Sequence, residues 1–291
     1  MKVLITGADG QLGNEICRHK DISEDLFIFT NRSQLDITNS NLVEKFVIGK
    51  SIDVIVNCAA YTNVELSEDN QMDAYQINVQ GVSNLVSAIR KNNGKIINIS
   101  SDYVFNGKSS QPYDENDEAD PIGIYGKTKF EGEKIINKAS VDGISIRTSW
   151  LYSGFGNNFV KKIISLSKNQ NEIKVVDDQF GCPTNAKDLA KAIIQIISSK
   201  KEISRVNRVY HYANEGETNW YEFAKEIIKI LSINTRVIPV DSSQFKTKVK
   251  RPSYSVLSKE KIKNDFNVET PHWRNSLKCF LERYSKWKKT Y

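Results

Sequence analysis

Two groups of residues in this chain have types and spacings suited to redox chemistry on a carbonyl. The first is Gly7, Gly10 and Gly13, which follow directly on an apolar run at 3–6. A glycine turn between a strand and a helix lets backbone N–H groups approach a pyrophosphate, and the helix N-terminus adds partial positive charge. Gln11 and Leu12 sit in the same turn, whose spacing is GxxGxxG rather than GxGxxG. The second group is Tyr125 with Lys129 four residues later. On a helix that spacing places both side chains on one face. Before them, Ser100 and Ser101 close an apolar run at 96–99. A hydroxyl at the carboxyl end of a parallel strand lies in the ligand crevice. Each pattern alone is weak: a glycine turn can be merely structural, and most Tyr-x-x-x-Lys spacings are exposed helix faces. Glycine turn, hydroxyl, tyrosine and lysine in that order point to carbonyl–alcohol interconversion with a nicotinamide.

Hydride arriving at a carbonyl carbon builds negative charge on the oxygen, and an acid must quench it. A phenol ordinarily titrates near ~10, and a neighbouring ammonium favours the phenolate. Lys129 is therefore expected to lower the pKa of Tyr125 and to hold the nicotinamide ribose hydroxyls. Tyr125 would donate its proton to the nascent alkoxide, with Ser101 hydrogen-bonded to the same oxygen. At the end of the second strand, many NAD-preferring folds carry an acidic residue on the ribose 2′-hydroxyl. This chain has Thr30, Asn31 and Arg32 there. The Arg32 guanidinium suits a 2′-phosphate, although a loop arginine facing water would look the same. The balance leans to NADPH, with NADH as the alternative. Asp36 and Ile37 follow, placed to frame the adenine. Ala59, Ala60, Tyr61 and Thr62 come after the third strand, where small residues let a cofactor lie close to the backbone.

The elements that must position these groups are legible as apolar periodicity. Runs at 3–6, 26–30, 54–57, 96–99 and 144–147 are near-continuously apolar, as parallel strands covered on both faces are. Between them, 12–18, 41–48, 73–90 and 125–137 have helical periodicity. This alternation predicts an α/β fold with a Rossmann-like doubly wound parallel sheet. Beyond 150 the pattern changes. Residues 157–166, 188–198, 220–231 and 273–287 suggest helices, 173–176 a short strand, and 208–212 a strand that returns to the sheet. We therefore expect a cofactor-binding domain formed by 1–149 and about 183–212. A smaller C-terminal substrate-binding α/β domain would take about 150–182 and 213–291, with substrate in the cleft between. The stretch 107–123, just before Tyr125, is expected to be a long loop.

Composition bounds the alternatives. The 291 residues are 39% hydrophobic and 26% charged, with a formal net charge of +6 from dispersed lysines. That suits a folded chain with a sizeable core and, weakly, an anionic small molecule. The charge forms no stripe, so nucleic acid is not an expected partner. No stretch approaches the ~20 apolar residues of a membrane span, and no room for a signal peptide precedes the first strand, so a cytoplasmic location is expected. Four cysteines lie far apart without CxxC spacing and three histidines form no cluster, so no metal is expected. His211 is given no role.

The order of these stretches resembles an extended short-chain dehydrogenase/reductase and, more narrowly, the dTDP-4-dehydrorhamnose reductase family. The resemblance rests on Gly-Ala-Asp-Gly-Gln-Leu-Gly at 7–13, Leu-Asp-Ile-Thr at 35–38, Asn-Cys-Ala-Ala-Tyr-Thr at 57–62 and Ser-Asp-Tyr-Val-Phe at 101–105. It continues in Tyr-Gly-Lys-Thr-Lys at 125–129, Arg-Thr-Ser-Trp-Leu-Tyr at 147–152, Gly-Asn-Asn-Phe-Val at 156–160, Asp-Asp-Gln-Phe-Gly-Cys-Pro-Thr at 177–184 and Arg-Pro-Ser-Tyr-Ser-Val-Leu at 251–257. It implies NADPH-dependent reduction of the C4 ketone of a dTDP-6-deoxy-4-keto-hexose to dTDP-L-rhamnose, for cell-surface polysaccharide. Asn78 matches the position that supports a water relay to the lysine. Ser101, Asp102, Tyr103, Trp150 and Asn158 would lie near the sugar, with a core tryptophan as the lesser alternative for Trp150. Arg251 would bind the substrate diphosphate, or is an ordinary surface arginine. The resemblance also allows a homodimer.

The chain departs from the family pattern at Ser101, where threonine is common, and at Asn106-Gly107, where Asp-Gly is common. The segment 245–250 is lysine-rich where relatives carry proline, and no acidic residue stands near Thr30. Competing readings are a related nucleotide-sugar 4-ketoreductase for another hexose, and an epimerase, which would keep NAD tightly bound. A third is a cofactor-binding regulatory subunit like that of methionine adenosyltransferase.

Overall fold

A computed structural model describes residues 1–199, 208–245 and 247–290, with side chains in the last helix as far as Tyr284. Part of the expected 183–212 return segment, 200–207, and Lys246 of the lysine-rich stretch lie outside the described residues. The first half runs β1 (Lys2–Thr6), α1 (Gln11–His19), β2 (Leu26–Thr30), α2 (Ser40–Gly49), β3 (Val54–Asn57), α3 (Val64–Ser67), α4 (Gln71–Tyr75), a π-helical turn (Gln76–Gln80), α5 (Gly81–Lys91), β4 (Lys95–Ser101), α6 (Ile124–Lys138) and β5 (Asp142–Thr148). The second half adds β6 (Leu151–Tyr152), α7 (Phe159–Leu166), β7 (Glu172–Val176), β8 (Phe180–Gly181), β9 (Thr184–Asn185), α8 (Ala186–Ser198), β10 (Val209–His211), β11 (Thr218–Asn219), α9 (Trp220–Ile230), β12 (Arg236–Val240), α10 (Glu260–Phe266) and α11 (Trp273–Thr290).

The central sheet has the order β2-β1-β3-β4-β5-β10, and all its pairs are parallel. Its strands are apolar on both faces because each face is covered. Successive side chains point to opposite sides, so Leu4, Ile55 and Ile96 pack with Val43, Val82 and Leu85 of α2 and α5. Val3, Ile5, Val56 and Ile144 pack on the other side with Ile16, Leu189 and Ile193 of α1 and α8. Away from the sheet, a separate apolar cluster joins Tyr152, Ile163, Phe223, Trp273 and Leu277 from β6, α7, α9 and α11. No helix among the described residues is long and apolar enough to cross a membrane.

Strand order reverses at β1, so the crevice between the carboxyl ends of β1 and β3 is the place where such sheets bind ligands. Three buried polar residues mark that edge. Thr6 Oγ1 donates to Asn57 Oδ1 at 2.7 Å, and Asn57 Nδ2 donates to Asn98 Oδ1 at 2.9 Å, linking β1, β3 and β4.

Two features depart from the sequence reading. The helix expected over 73–90 is α4, the π-turn and α5 in succession; the extra residue per turn that a π-bulge inserts shifts the apolar stripe without ending the helix. β12 was not anticipated because Pro239 lies inside it, and proline is tolerated in strands only at an edge. There it pairs with β7 alone. Replacing Asn57 by Ala would leave two buried partners unpaired, a loss of about 1–3 kcal/mol. A thermal melt of Asn57→Ala is expected to fall by about 2–8 °C, and an unchanged melt would show that the polar link contributes nothing.

Candidate active site

Gly7 sits at φ +62°, and a Cβ there would meet the Ala59 backbone at 2.7 Å. Only glycine combines that left-handed backbone with so close an approach. The turn is closed by hydrogen bonds from Gly10 N to Gly7 O and from Ala8 N to Thr30 O, both 3.0 Å. α1 then starts at Gln11 without a side-chain cap, which leaves its first N–H groups for another acceptor. A Cβ on Gly10 would meet only the Gly7 carbonyl, at 3.1 Å, so its outer side opens to the cleft. This cradle fits a dinucleotide pyrophosphate.

Along one arm of the cleft lie Arg32, Asp36 and Ile37. The Arg32 side chain is 78% exposed, with Nε 3.7 Å from Asp36 Oδ2. The backbone N–H of Thr38, and then its hydroxyl and Arg32, hold the Asp36 carboxyl below the usual range. Asn31 accepts from Ser33 Oγ and Gln34 N, closing its own turn. Ala59, Ala60 and Thr62 line the wall, whereas Asn31 and Tyr61 lie beside it.

The reacting end is formed by α6 and the carboxyl end of β4. Glu68 Oε1 accepts from the Ile124 N–H at 2.7 Å and so caps α6. Tyr125 and Lys129 share a face; Lys129 is buried and Tyr125 half-buried, opening on the cleft. Burial pushes the Tyr125 phenol up to about 12, against the hydroxyl of Ser101. The expectation that Lys129 pulls this phenol down is therefore not met: burial raises it, the Ser101 hydroxyl opposes, the Asp102 charge adds to the rise, and Lys129 is not among the causes. Burial likewise lowers the Lys129 ammonium to about 8, opposed by Glu133 and Cys58. The Tyr103 ring packs edge-on against Tyr125, centroids 5.6 Å apart. Asn78, in the π-turn, accepts from Tyr61 N at 2.9 Å and donates to Tyr61 O and to Thr128 Oγ1 at 3.0 Å. Its side chain thus ties the wall after β3 to the catalytic helix rather than lining the cleft.

On the opposite side, Trp150 adopts φ +49° and stacks on Trp220 at 3.5 Å and 9°. Gly181 lies behind the ring, where a Cβ would be 2.7 Å away. Trp220 was missed in the sequence because its stacking partner is 70 positions away; a tryptophan directly after the Asn219 helix cap was the available signal. Asn158 caps α7 through Lys161 N and donates to Gln11 Oε1 at 2.9 Å, so these two candidates join across the cleft. Arg251 Nη2 pairs with Glu65 at 3.3 Å. Among the sequence candidates, all but Asn31, Tyr61 and Asn78 line this one cleft of about 960 Å³.

Asp102 lies beneath the reacting end, 2% exposed. It accepts from Ser101 Oγ at 3.0 Å and Ser255 Oγ at 2.7 Å. Burial raises its carboxyl to about 6, against those two hydroxyls. A carboxyl whose pKa is higher folded than unfolded stabilises the fold at low pH, and that stabilisation disappears as pH rises through about 6. Asp102→Asn is therefore expected to gain about 1.4 kcal/mol relative to wild type between pH 5 and pH 7.5, most of it below pH 6.5. Thermal melts across that range check this, and a pH-independent difference would contradict it.

The chain matches the RmlD substrate binding domain family over residues 1–286. It is 38% identical to the spore coat polysaccharide biosynthesis protein SpsK of Bacillus subtilis, over 98% of both chains. It is 37% identical to the dTDP-4-dehydrorhamnose reductase of Aggregatibacter actinomycetemcomitans, over 95% of this chain and 97% of that one. The crystal structure of the Bacillus anthracis dTDP-4-dehydrorhamnose reductase in complex with NADP superposes with a TM-score of 0.92 at 36% identity, covering 97% of this chain and 99% of that one. With the glycine cradle and the Tyr125–Lys129 face in one cleft, this chain belongs to the dTDP-4-dehydrorhamnose reductase family.

Proposed function

We propose that the protein reduces the C4 ketone of dTDP-4-dehydro-6-deoxy-L-mannose to dTDP-L-rhamnose with NADPH. The observation that carries this reading is that Tyr125, Lys129 and Ser101 line the same cleft as the glycine cradle. The likeness to reductases of that activity over nearly the whole chain supports it. Residues 1–149 and about 183–212 would hold the cofactor, and about 150–182 with 213–291 the sugar nucleotide.

The residues present fit the cofactor. Gly7, Gly10, Gln11, Leu12 and Gly13 would take the pyrophosphate, Arg32 the 2′-phosphate, and Asp36 and Ile37 the adenosine side. Ala59, Ala60 and Thr62 would take the nicotinamide half, and Lys129 its ribose. Bound nicotinamide supplies a hydride to the carbonyl carbon. Ser101 hydrogen-bonds the carbonyl oxygen and fixes it before Tyr125. Tyr125 then gives that oxygen its proton; an alkoxide is a much stronger base than a phenolate, so the transfer is favourable even from a phenol raised by burial. The ammonium of Lys129 stabilises the phenolate left behind. Trp150, clamped between Trp220 and Gly181, forms a rigid wall for the sugar, with Tyr103 and Asn158 beside it. Arg251 is placed to exchange its Glu65 partner for the diphosphate.

The test is NADPH oxidation with the keto-sugar generated in place from dTDP-glucose by the upstream dehydratase and epimerase. Product dTDP-rhamnose is expected, and no oxidation with NADPH still bound would sink the reading. Tyr125→Phe is expected to lose at least about 10²–10⁴-fold in kcat while its NADPH affinity, read by fluorescence titration, changes little. Wild-type turnover in that variant would remove Tyr125 as the donor. Arg32→Ala is expected to weaken NADPH by about tenfold, worth ~1.4 kcal/mol, with NADH unaffected. Equal losses for both cofactors would place Arg32 away from the 2′-phosphate.

A further inference from the structure

α6 carries a third charged residue at the same four-residue step. Tyr125, Lys129 and Glu133 follow one face of the helix. Glu133 is fully buried, and both of its carboxylate oxygens are fixed. Arg147 of β5 donates from Nε at 2.9 and 3.2 Å and from Nη2 at 2.7 Å. Ser100 of β4 donates to the same carboxylate. Arg147 in turn lies 4.9 Å from the Phe105 ring centroid and meets His211 Nε2 at 3.3 Å. The mechanism above uses none of these groups. Anchoring α6 does not by itself require charge here, since a buried ion pair is seldom more stabilising than apolar side chains of the same volume.

The charge acts on Lys129, one turn earlier. Burial opposes the ammonium there, and the attraction of Glu133, then of Cys58, opposes burial. The titratable and charged groups around it are Tyr125 and Glu133 on its own helix, Cys58 after β3, Asp102 after β4, Arg147 on β5, and His211 on β10 with Glu115 behind it. His211 contributes no charge, because burial and the Arg147 guanidinium hold its imidazole far below the usual range. Glu115, whose carboxylate accepts from the His211 N–H, is separated from Lys129 by that residue. Arg147 is the opposing cation, and its charge is spent on Glu133.

We propose that Glu133 is a positioning residue for the reduction: clamped by Arg147 and Ser100 at the third step of α6, it is the fixed negative charge that keeps Lys129 an ammonium in a site closed to water. This rests on the reading of Tyr125 and Lys129 as the reacting pair. Without the Glu133 charge, the burial that opposes the Lys129 ammonium would lose its largest counterweight. Lys129 would lose its proton at lower pH, and the Tyr125 phenolate would lose its counter-charge.

The experiment is the pH profile of kcat/KM for NADPH and dTDP-4-dehydro-6-deoxy-L-mannose. The proteins compared are wild type, Glu133→Gln, Glu133→Asp, the double variant Glu133→Gln/Arg147→Met, and Lys129→Met. Glu133→Gln is expected to move the alkaline limb down by about one pH unit or more, with a loss of about eightfold or more at pH 8.5 and a much smaller one at pH 6. Glu133→Asp restores part of the limb, because the charge returns one methylene shorter. The double variant leaves no lone buried cation, so it keeps the shifted limb without the folding defect of an unpaired Arg147. A limb that stays in place in the Gln variants, whether activity is unchanged or falls uniformly, would overturn the proposal and leave Glu133 a structural anchor. If Lys129→Met keeps the wild-type rate and profile, the reading of the reacting pair fails, and the role of Glu133 with it.

Discussion

The site depends on how closely α6 can approach the sheet edge. A Cβ on Gly126 would lie 2.1 Å from the Tyr103 carbonyl, and one on Gly132 would lie 2.6 Å from the Asn78 carbonyl. Neither distance admits a side chain, and both neighbours are backbone that cannot step aside. Glycine at these two positions lets the helix settle against the turn after β4 and against the π-turn at once. The intervening face, with Tyr125 and Lys129, is then pressed into the crevice. Glu68 at the start of α6, and Ser100 with Arg147 near its middle, hold it in that place. Thr128, on the adjacent side, binds Asn78 and so registers the helix against the loop that follows β3.

That close approach leaves little room for water around these side chains, and the reduced hydration shifts their protonation. Each ionisable group there moves toward its neutral form: Tyr125 up to about 12, Cys58 up to about 12, Asp102 up to about 6 and Lys129 down to about 8, in every case with burial as the largest cause. For a proton donor this is favourable, since the phenol is fully protonated when a ketone arrives. For a thiol beside the cofactor wall it is protective, because a neutral Cys58 is a poor nucleophile. For Lys129 it is a cost, since the cation is the useful form, and a fixed carboxylate nearby offsets it.

The sequence made the sheet legible because parallel strands buried on both faces carry unbroken apolar runs, as β1 and β3 do. The reacting residues were legible because each sits at a fixed offset from an element boundary. Gly7 follows β1, Ser101 ends β4, and Tyr125 opens α6. What stayed hidden depends on contacts between distant segments. β12 is half-exposed, interrupted by Pro239 and paired only with β7, so neither period nor propensity marks it. α10 is short and mostly charged. The π-turn keeps helical composition while changing the hydrogen-bond step, so the apolar stripe cannot report it. Trp220, Glu65 and Glu133 gain their places only through partners that folding brings to them.

The two lobes meet at polar contacts that reach into the cleft. Gln11, in the glycine turn, accepts from Asn158 at the start of α7. Glu65 of α3 holds Arg251 and the Lys248 N–H from the C-terminal segment. Ser255, from that same segment, donates to Asp102, which accepts from Ser101 on its other oxygen. The hydroxyl that would fix the carbonyl is therefore oriented by a carboxyl that the C-terminal lobe holds in turn. Ser255 lies four positions after Arg251, so one stretch of chain reaches both Asp102 and Glu65. Seating the outer part of a ligand against Arg251 and aligning Ser101 before Tyr125 would for that reason be mechanically coupled, since a shift of the 251–255 segment alters both.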